Sequence, residues 1–418
     1  MFMNMLSRAL RLVMPMLCAL SHGLLQYTDT ISFLSSRAPD YMKHLYKTCL
    51  ADEKGGLANV SLCVPELPSM NIPEQSGSLV SLEHVNINVG SNISSFLFLY
   101  DFYIDILRCG ADTRAPKVLK TVNNARKKRG KLQQSRGLLW ANIGLQQFHL
   151  PAENPMQRLR GAITMVYNQS EYNSLIDRLV EHQYVFRLIS CDENDSDSSS
   201  SSCIKNSSIH LGNEGIEVEC PYGNRFRIFP TNHTSWYGPA EYIASDDEAA
   251  KLIQLPGGYT AGLGIQTIDM DVPYGTAQRI SKFYEHYFDA EPELSLVDSN
   301  SPQQRERCVV KIGYHQQLAF TEITEGAILE DYDGHHIAVY INNFVETYYR
   351  LDEDELVWNN PRFPHLVYDT IDKAVKRKEF RFRHIIDVDT KENIFELEHE
   401  LRSLSHPSFS CRKWLEFP

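Results

Sequence analysis

The strongest constraint on the fold of this chain is a structural unit that occurs four times. Four strand-like segments of similar shape follow one another: LEHVNINV (82–89), GAITMVYN (161–168), GIQTIDMDV (264–272) and GHHIAVYIN (334–342). Each is followed by a stretch with helical periodicity and then by short strand-like runs separated by turn residues. Repetition on this scale indicates one supersecondary building block per unit. The sequence therefore predicts an α+β protein of four βαβββ units.

The last strand-like runs of the units match in pairs. GLQQFHLP (144–151) resembles GYHQQLAFTE (313–322), whereas ECPYGNRFRIFP (219–230) and TKENIFELEHEL (390–401) end the second unit of each pair. This order predicts two domains, each built from two consecutive units, at residues 79–235 and 260–405. The remaining segments are predicted as a linker, a leader that could form a helix, and a C-terminal tail, at 236–259, 24–78 and 406–418.

Residues 1–23 differ from the rest of the chain and are predicted to be a targeting segment. The first 28 residues contain no Asp or Glu, carry Arg8 and Arg11, and include the apolar run Leu12–Leu20. A run of this length matches the core of a signal peptide and is too short to span a bilayer. Asn-x-Ser/Thr sequons fit the secretory pathway, and the acid-free start fits a plastid or mitochondrial transit peptide nearly as well. Both compartments stay open.

Composition excludes several classes of function. The 418-residue chain has a formal net charge of −12, which argues against nucleic acid or an anionic membrane surface as a partner. No G-x-S-x-G, H-E-x-x-H or phosphate-binding loop is present, so hydrolysis by a nucleophile and nucleotide chemistry have no support. Nine cysteines without a C-x-x-C motif argue against a metal site built on sulfur. A small-molecule ligand is the expected partner.

Paired βαβββ units, a histidine in the first strand, a Pro-Tyr-Gly-Asn turn (221–224) and an alternating last strand resemble the vicinal oxygen chelate superfamily. This superfamily includes glyoxalase I and the extradiol dioxygenases, and the resemblance covers residues 80–402. It implies two cups of eight strands each, with metal ligands on the first and last strands of the units. It also implies that no second subunit is needed to complete the cups. A fold of this kind implies where the site lies and leaves its chemistry open.

Strand alternation selects candidate ligands in the predicted C-terminal cup. Neighbouring strand residues point to opposite faces, so His336 faces the cup and His335 packs under the helix. The family pattern then points to His336, Glu396 and Gln317 as metal ligands. Imidazole, carboxylate and amide donors suit a divalent first-row metal such as Fe, Mn, Ni, Co or Zn. Such a metal would polarise two adjacent substrate oxygens, with Glu398 or Glu396 as the catalytic base.

The predicted N-terminal cup has a different character. Alternation places His84, Gln147 or His149, Arg225 and Arg227 on its inner face. A guanidinium group keeps its charge in a protein and would repel a nearby dication. This cup is therefore predicted to bind no metal and to hold an anionic ligand, with the two arginines as a fork for carboxylate or phosphate and the other three residues as further substrate contacts.

Two classes of function remain open from the sequence. The first is a metal-dependent lyase or dioxygenase that acts on a small molecule with vicinal oxygens in the C-terminal cup. The second is a non-catalytic binding protein without metal, in which His336 is a core histidine and the pair Glu396 and Glu398 is a solvated sheet face. The metal content of the purified protein distinguishes the two.

Overall fold

The structure, a computed structural model, describes residues 77–91, 93–112, 138–144, 146–190, 214–232, 260–297, 304–313 and 315–408. The predicted targeting segment and linker, and nearly all of the leader and the tail, lie outside these ranges. Their assignments, and the domain boundaries set by them, stay predictions. The described residues form a seven-stranded and an eight-stranded sheet. The predicted α+β class, with four repeated units in two sheets, is confirmed.

The first and second units follow the predicted order of elements. The first contains β1 (Leu79–Asn86), α1 (Ile93–Tyr100), a π-helical segment (Asp101–Ile106), β2 (Gly110–Ala111), β3 (Leu138–Ile143) and β4 (Gln146–Pro151). The second contains β5 (Gly161–Asn168), α2 (Gln169–Glu181), β6 (Phe186–Ser190), β7 (Glu214–Glu219) and β8 (Arg225–Thr231). Helix α2 begins at Asn168 because the Asn168 side chain accepts a hydrogen bond from the Glu171 N–H. Its apolar stripe of Tyr172, Leu175 and Leu179 is buried.

The third and fourth units complete the two sheets. The third contains β9 (Gly262–Val272), α3 (Ala277–Phe288), β10 (Glu293–Leu296), β11 (Glu306–Gly313) and β12 (Gln316–Glu322). The fourth contains β13 (His336–Ile341), α4 (Phe344–Glu353), α5 (Ile371–Arg377), β14 (Glu379–Ile386) and β15 (Asn393–Ser403). Among the helices of the described ranges, none combines the length and the apolar character needed to cross a membrane.

The fourth unit lacks one strand, which gives its sheet seven strands where eight were predicted. Between α4 and α5 the chain forms only an isolated bridge between Val357 and Phe382. Pro361 and Pro364 follow, and proline has no N–H to donate to a strand ladder. This connection therefore runs as an irregular segment, which we call the α4–α5 connection.

Strand pairing joins the first unit to the fourth and the second unit to the third. β1 pairs antiparallel with β13, and β5 pairs antiparallel with β9. The predicted pairing of consecutive units is therefore wrong. Alternation indicates the face on which a residue lies and carries no information about the neighbouring strand. We call the polar face of the seven-stranded sheet, made by units one and four, the first cup, and the polar face of the eight-stranded sheet the second cup.

The apolar faces of both sheets are covered by the helices. The Tyr103 ring of the π-helical segment contacts Phe148 of the first sheet and Phe226 of the second, with centroid distances of 5.1 and 5.7 Å. Tyr284 of α3 contacts Phe320 of the second sheet at 5.5 Å and also reaches the first sheet. Since helical side chains reach both sheets, the helices form a shared core layer. The polar faces of the sheets are left for binding.

A buried histidine of this core layer has a defined protonation state. The Tyr284 hydroxyl donates to His399 Nε2 at 2.7 Å, and His399 Nδ1 donates to the Leu397 carbonyl at 2.8 Å. The His399 ring also stacks on Phe382 with a centroid distance of 4.2 Å. Burial lowers the pKa of His399 to about 3, because the charged ring would lose its solvation. The imidazole is therefore neutral in the folded protein at neutral pH.

His399 should make folding stability depend on acid pH. Its pKa is lower in the folded state than in the unfolded state, so its contribution is present above about pH 6.5 and is lost progressively as the pH falls toward 3. We expect His399→Gln, which cannot titrate, to flatten the fall in urea midpoint between pH 7 and pH 5. The exposed His286 provides the control, and His286→Gln should leave the slope of the parent unchanged. Equal slopes for the parent and both variants would contradict this assignment.

Candidate functional site

Three strands of the first cup bring polar side chains to one place. His84 on β1 and Glu400 on β15 both lie beside Ala338 of β13 in the strand ladders. His336 precedes Ala338 by two residues and therefore lies on the same face of β13. The three side chains are buried, with exposures of 1% for His84, 3% for His336 and 2% for Glu400. Their potential metal-ligating atoms all lie within 4.8 Å of one another.

His84 is positioned by partners on both sides of its ring. It stacks on His149 with a centroid distance of 3.7 Å and lies edge-on to His336 at 5.6 Å. Its Nδ1 atom donates to the Glu83 carboxylate, and Arg402 also donates to that carboxylate, at 2.6 Å. Burial acts to raise the pKa of Glu83, but Arg402 and His84 outweigh it and hold this pKa well below the usual range. Glu83 is therefore an ionised acceptor that orients the imidazole.

The remaining nitrogen of His84, Nε2, is buried and has no protein partner among the described residues. A histidine that donates one ring nitrogen to a carboxylate and leaves the other free is the arrangement in which imidazole ligates metals. The donor chemistry at this atom therefore fits a metal ion.

His336 is held in the form that can bind a metal. Its Nδ1 atom is buried without a partner among the described residues, and its Nε2 atom lies 3.7 Å from Glu400 Oε2. Burial, with a smaller contribution from the Arg381 charge, lowers the pKa of His336 well below its ordinary value. The imidazole is therefore neutral, and metal ligation requires a neutral imidazole.

Glu400 is shared between the candidate ligand group and two arginines. Arg381 and Arg402 each form an ion pair with one of its carboxylate oxygens. Burial acts to raise the pKa of Glu400, and these two guanidinium groups outweigh it and hold this pKa well below its ordinary value. A carboxylate has more than two lone-pair directions, so a metal ion can share an oxygen with a guanidinium. The metal must nevertheless compete with both arginines.

The predicted base Glu398 lies in the first cup beside His336. Its carboxylate accepts hydrogen bonds from Asn360 Nδ2 at 2.8 and 3.0 Å and from Arg381 at 2.5 Å. Asn360 belongs to the α4–α5 connection, and in the same connection Arg362 donates to Asn88 of the first unit at 3.0 Å. The connection therefore links both units of the first cup next to Glu398. Its catalytic role stays a prediction.

Two of the predicted metal ligands are not brought to His336. Gln317 lies in the second sheet, where its side-chain amide donates to Thr267 at 3.2 Å. Glu396 lies on β15 but is partly exposed, and its carboxylate pairs with Arg383 at 3.3 Å and with His384. The set His336, Glu396 and Gln317 is therefore corrected. Gln317 is separated from His336 because units three and four belong to different sheets, and the Glu396 carboxylate is engaged by Arg383 and His384 at a partly exposed position.

The predicted substrate contacts are divided between the two cups. Gln147 and His149 join His84 in the first cup, where His149 Nε2 donates to Gln147 Oε1 at 3.0 Å. Arg225 and Arg227 lie on β8, in the second cup. The prediction that one cup contains all five residues is therefore wrong.

Sequence reasoning missed Glu83, Glu400, Arg381 and Arg402. Glu400 continues the alternation of Glu396 and Glu398 on the same strand face, so the pattern itself could have indicated it. Arg381 and Arg402 could have been found by matching charges between strands, because three glutamates on one face require positive partners when buried. Glu83 lies where β1 changes register between Leu82 and His84, and a bulge of this kind is not visible in alternation.

Comparison with known proteins gives matches only among solved structures. No family model matches the sequence, and no curated protein matches it. Glyoxalase I from Zea mays matches 80% of this chain and 95% of its own chain, with 10% identity and a TM-score of 0.43. The 2,3-dioxygenase LapB from Pseudomonas sp. KL28 matches 79% of this chain and 93% of its own, with 12% identity and a TM-score of 0.23.

These likenesses concern the course of the backbone, and the chemistry of the site rests on the residues of this chain. The fold rests on the strand order, in which four units pair into two sheets with parallel and antiparallel neighbours at matching positions. The chain is an α+β protein of four repeated units, three of βαβββ type and a fourth with one strand fewer, and the strands of these units form two mixed sheets.

Proposed function

We propose that the first cup holds a divalent first-row metal ion through His84, His336 and Glu400, and that the protein acts there on a small molecule with two adjacent oxygens. One observation carries this proposal. The buried His84 Nε2, whose ring is oriented through Glu83 on the opposite nitrogen, lacks a partner among the described residues. His84 also belongs to a buried group with His336 and Glu400 whose potential ligand atoms lie within 4.8 Å of one another. A polar atom buried without a partner is costly, and a bound metal would satisfy it.

The residues around these ligands have distinct tasks in this proposal. A bound metal would supply a Lewis acid that polarises the two substrate oxygens. Glu83 fixes the orientation of His84, and the low exposure of the group limits access of water. Glu398 is the candidate base. Its oxygens accept N–H donors from Asn360 and Arg381, and the carboxylate keeps a further lone-pair direction that could accept a proton from a substrate.

Metal content tests the proposal directly. We expect the parent protein, dialysed against Fe, Mn, Ni, Co or Zn in turn, to retain about one equivalent of at least one metal by elemental analysis. His84→Ala should lose that metal, because it removes the ligand with the unpartnered nitrogen. His286→Ala changes an exposed histidine outside the cup and should bind as the parent does. Retention of metal by His84→Ala, or its absence from the parent with every metal tried, would contradict the proposal.

A second candidate function is favoured by one specific observation. Arg381 and Arg402 already neutralise Glu400, so the cup can be stable without a metal ion. In that case the protein would be a non-catalytic binding protein for a small molecule. A parent protein free of metal would support this second function.

A further inference from the structure

The second cup contains an open cavity unrelated to the candidate metal ligands. It has a volume of 280 Å³, close to the lower end of the range for small-molecule sites. The charged residues of its lining are four arginines and two aspartates, namely Arg187, Arg225, Arg227, Arg305, Asp269 and Asp271. The lining therefore has two more positive than negative charges. In a protein with a net charge of −12, a cationic cavity of this kind is a local exception that requires an explanation.

The acidic residues near the cavity are saturated by their neighbours. Asp269 pairs with Arg227 at 3.4 Å and with Arg307 at 3.1 Å, and it also accepts the Thr321 hydroxyl at 2.8 Å. Glu217 pairs with two of the lining arginines, with Arg227 at 3.0 Å and with Arg187 at 2.8 Å. Each of these carboxylates is shared between at least two donors. They orient the arginines and leave the positive excess in place.

Two arginines on one strand keep donor capacity toward the cavity. Arg225 Nε donates to the Gly161 carbonyl at 3.0 Å and its Nη2 pairs with Asp271 at 3.2 Å. Arg227 uses Nε and Nη1 for Glu217 and Asp269. Among the described residues, the remaining Nη atom of each guanidinium donates to no protein group. Two oriented guanidinium groups with free N–H donors are suited to an oxyanion.

The wall of the cavity limits the kind of anion. Val297, Ile323 and Ala327 also line the cavity, and so does Thr324. An ion with an apolar portion can contact this wall while its oxygens face the arginines. We propose that the second cup binds a small organic dianion, a phosphate monoester or a dicarboxylate, through Arg225 and Arg227.

The test is calorimetric titration of the protein with inorganic phosphate, phenyl phosphate and glutarate at constant ionic strength. A neutral chelator is included, so that a metal in the first cup cannot bind the anion. We expect saturable one-to-one binding of at least one probe. Phenyl phosphate or phosphate alone would identify the phosphoryl class, and glutarate alone the dicarboxylate class.

Two variants that change the charge of the cavity in opposite directions make the test specific. Arg225→Gln removes a donor at a partly exposed position and should weaken binding about tenfold or more. Asp271→Asn removes a negative charge that faces the ligand and should tighten binding, an effect that loss of folding cannot produce. Arg350→Gln is the control, because Arg350 pairs with Asp289 and Glu346 outside the cavity and should bind the probe as the parent does.

Three results would overturn the proposal. They are the absence of saturable binding for all three probes, equal affinities in Arg225→Gln and Arg350→Gln, and unchanged or weaker binding in Asp271→Asn. If Arg225→Gln fails to fold, the sign of the Asp271→Asn effect decides. None of these results depends on whether the first cup binds metal.

Discussion

Arg381→Met is expected to lower the free energy of unfolding of the metal-free protein by about 3–5 kcal/mol, the cost of breaking a buried ion pair from one side. Arg381 is 4% exposed and contacts both Glu398 and Glu400. Its removal leaves two buried carboxylates with less positive charge nearby. Urea unfolding of the parent and the variant, both free of metal, measures this loss.

The same variant should regain much of its stability when metal is added. A dication held by His84, His336 and Glu400 would replace part of the missing positive charge, and a ligand that binds only the folded state stabilises it. The matched control is Arg227→Met, which removes another buried arginine, one that pairs with Glu217 and Asp269 in the second cup.

That control should lose a similar amount of stability and gain nothing from metal. Recovery in both variants would show that the metal acts outside the first cup. Recovery in neither would remove the support for a metal at Glu400.

The adjacent histidines His335 and His336 should respond differently to truncation. His336→Ala removes a candidate ligand and should abolish metal binding. His335 is also buried, and its Nδ1 atom hydrogen bonds to the Asp333 carboxylate at 2.7 Å. His335→Ala should therefore cost about 1–3 kcal/mol, through lost packing and a lost hydrogen bond, while the metal is retained.

Elemental analysis and thermal melts of the two variants against the parent measure both effects. Each variant serves as the control for the other, because the two positions are neighbours on opposite faces of one segment. Equal loss of metal in both variants would contradict the assignment of His336 to the first cup.

The sequence predicted the building blocks of the fold well. Period-two alternation and turn residues are local signals, so the first strands, the helices and the side on which His84, His149 and His336 lie could be derived without knowledge of neighbouring strands. One strand predicted for the fourth unit does not form. Its place is taken by the α4–α5 connection, whose prolines cannot donate hydrogen bonds to a strand ladder.

The pairing of the units could not be derived from alternation, and the candidate site changed with it. Charge matching between distant strands was the available signal. Arg225 and Arg227 of the second unit complement Asp269 and Asp271 of the third, and these pairs meet in the structure. The ligand prediction failed for the same reason, since Gln317 was assigned to the sheet of His336 on the basis of its position along the chain alone.

The pairing of the first unit with the fourth also sets an order for folding during synthesis. Arg402 donates to Glu83 across 319 positions of sequence, so the first cup cannot close before the last strand has left the ribosome. The strands of the second cup all lie between residues 161 and 322 and are complete before β13 is made. During that interval β1 lacks its central partner and presents an open edge, where unpaired backbone groups favour association with other chains.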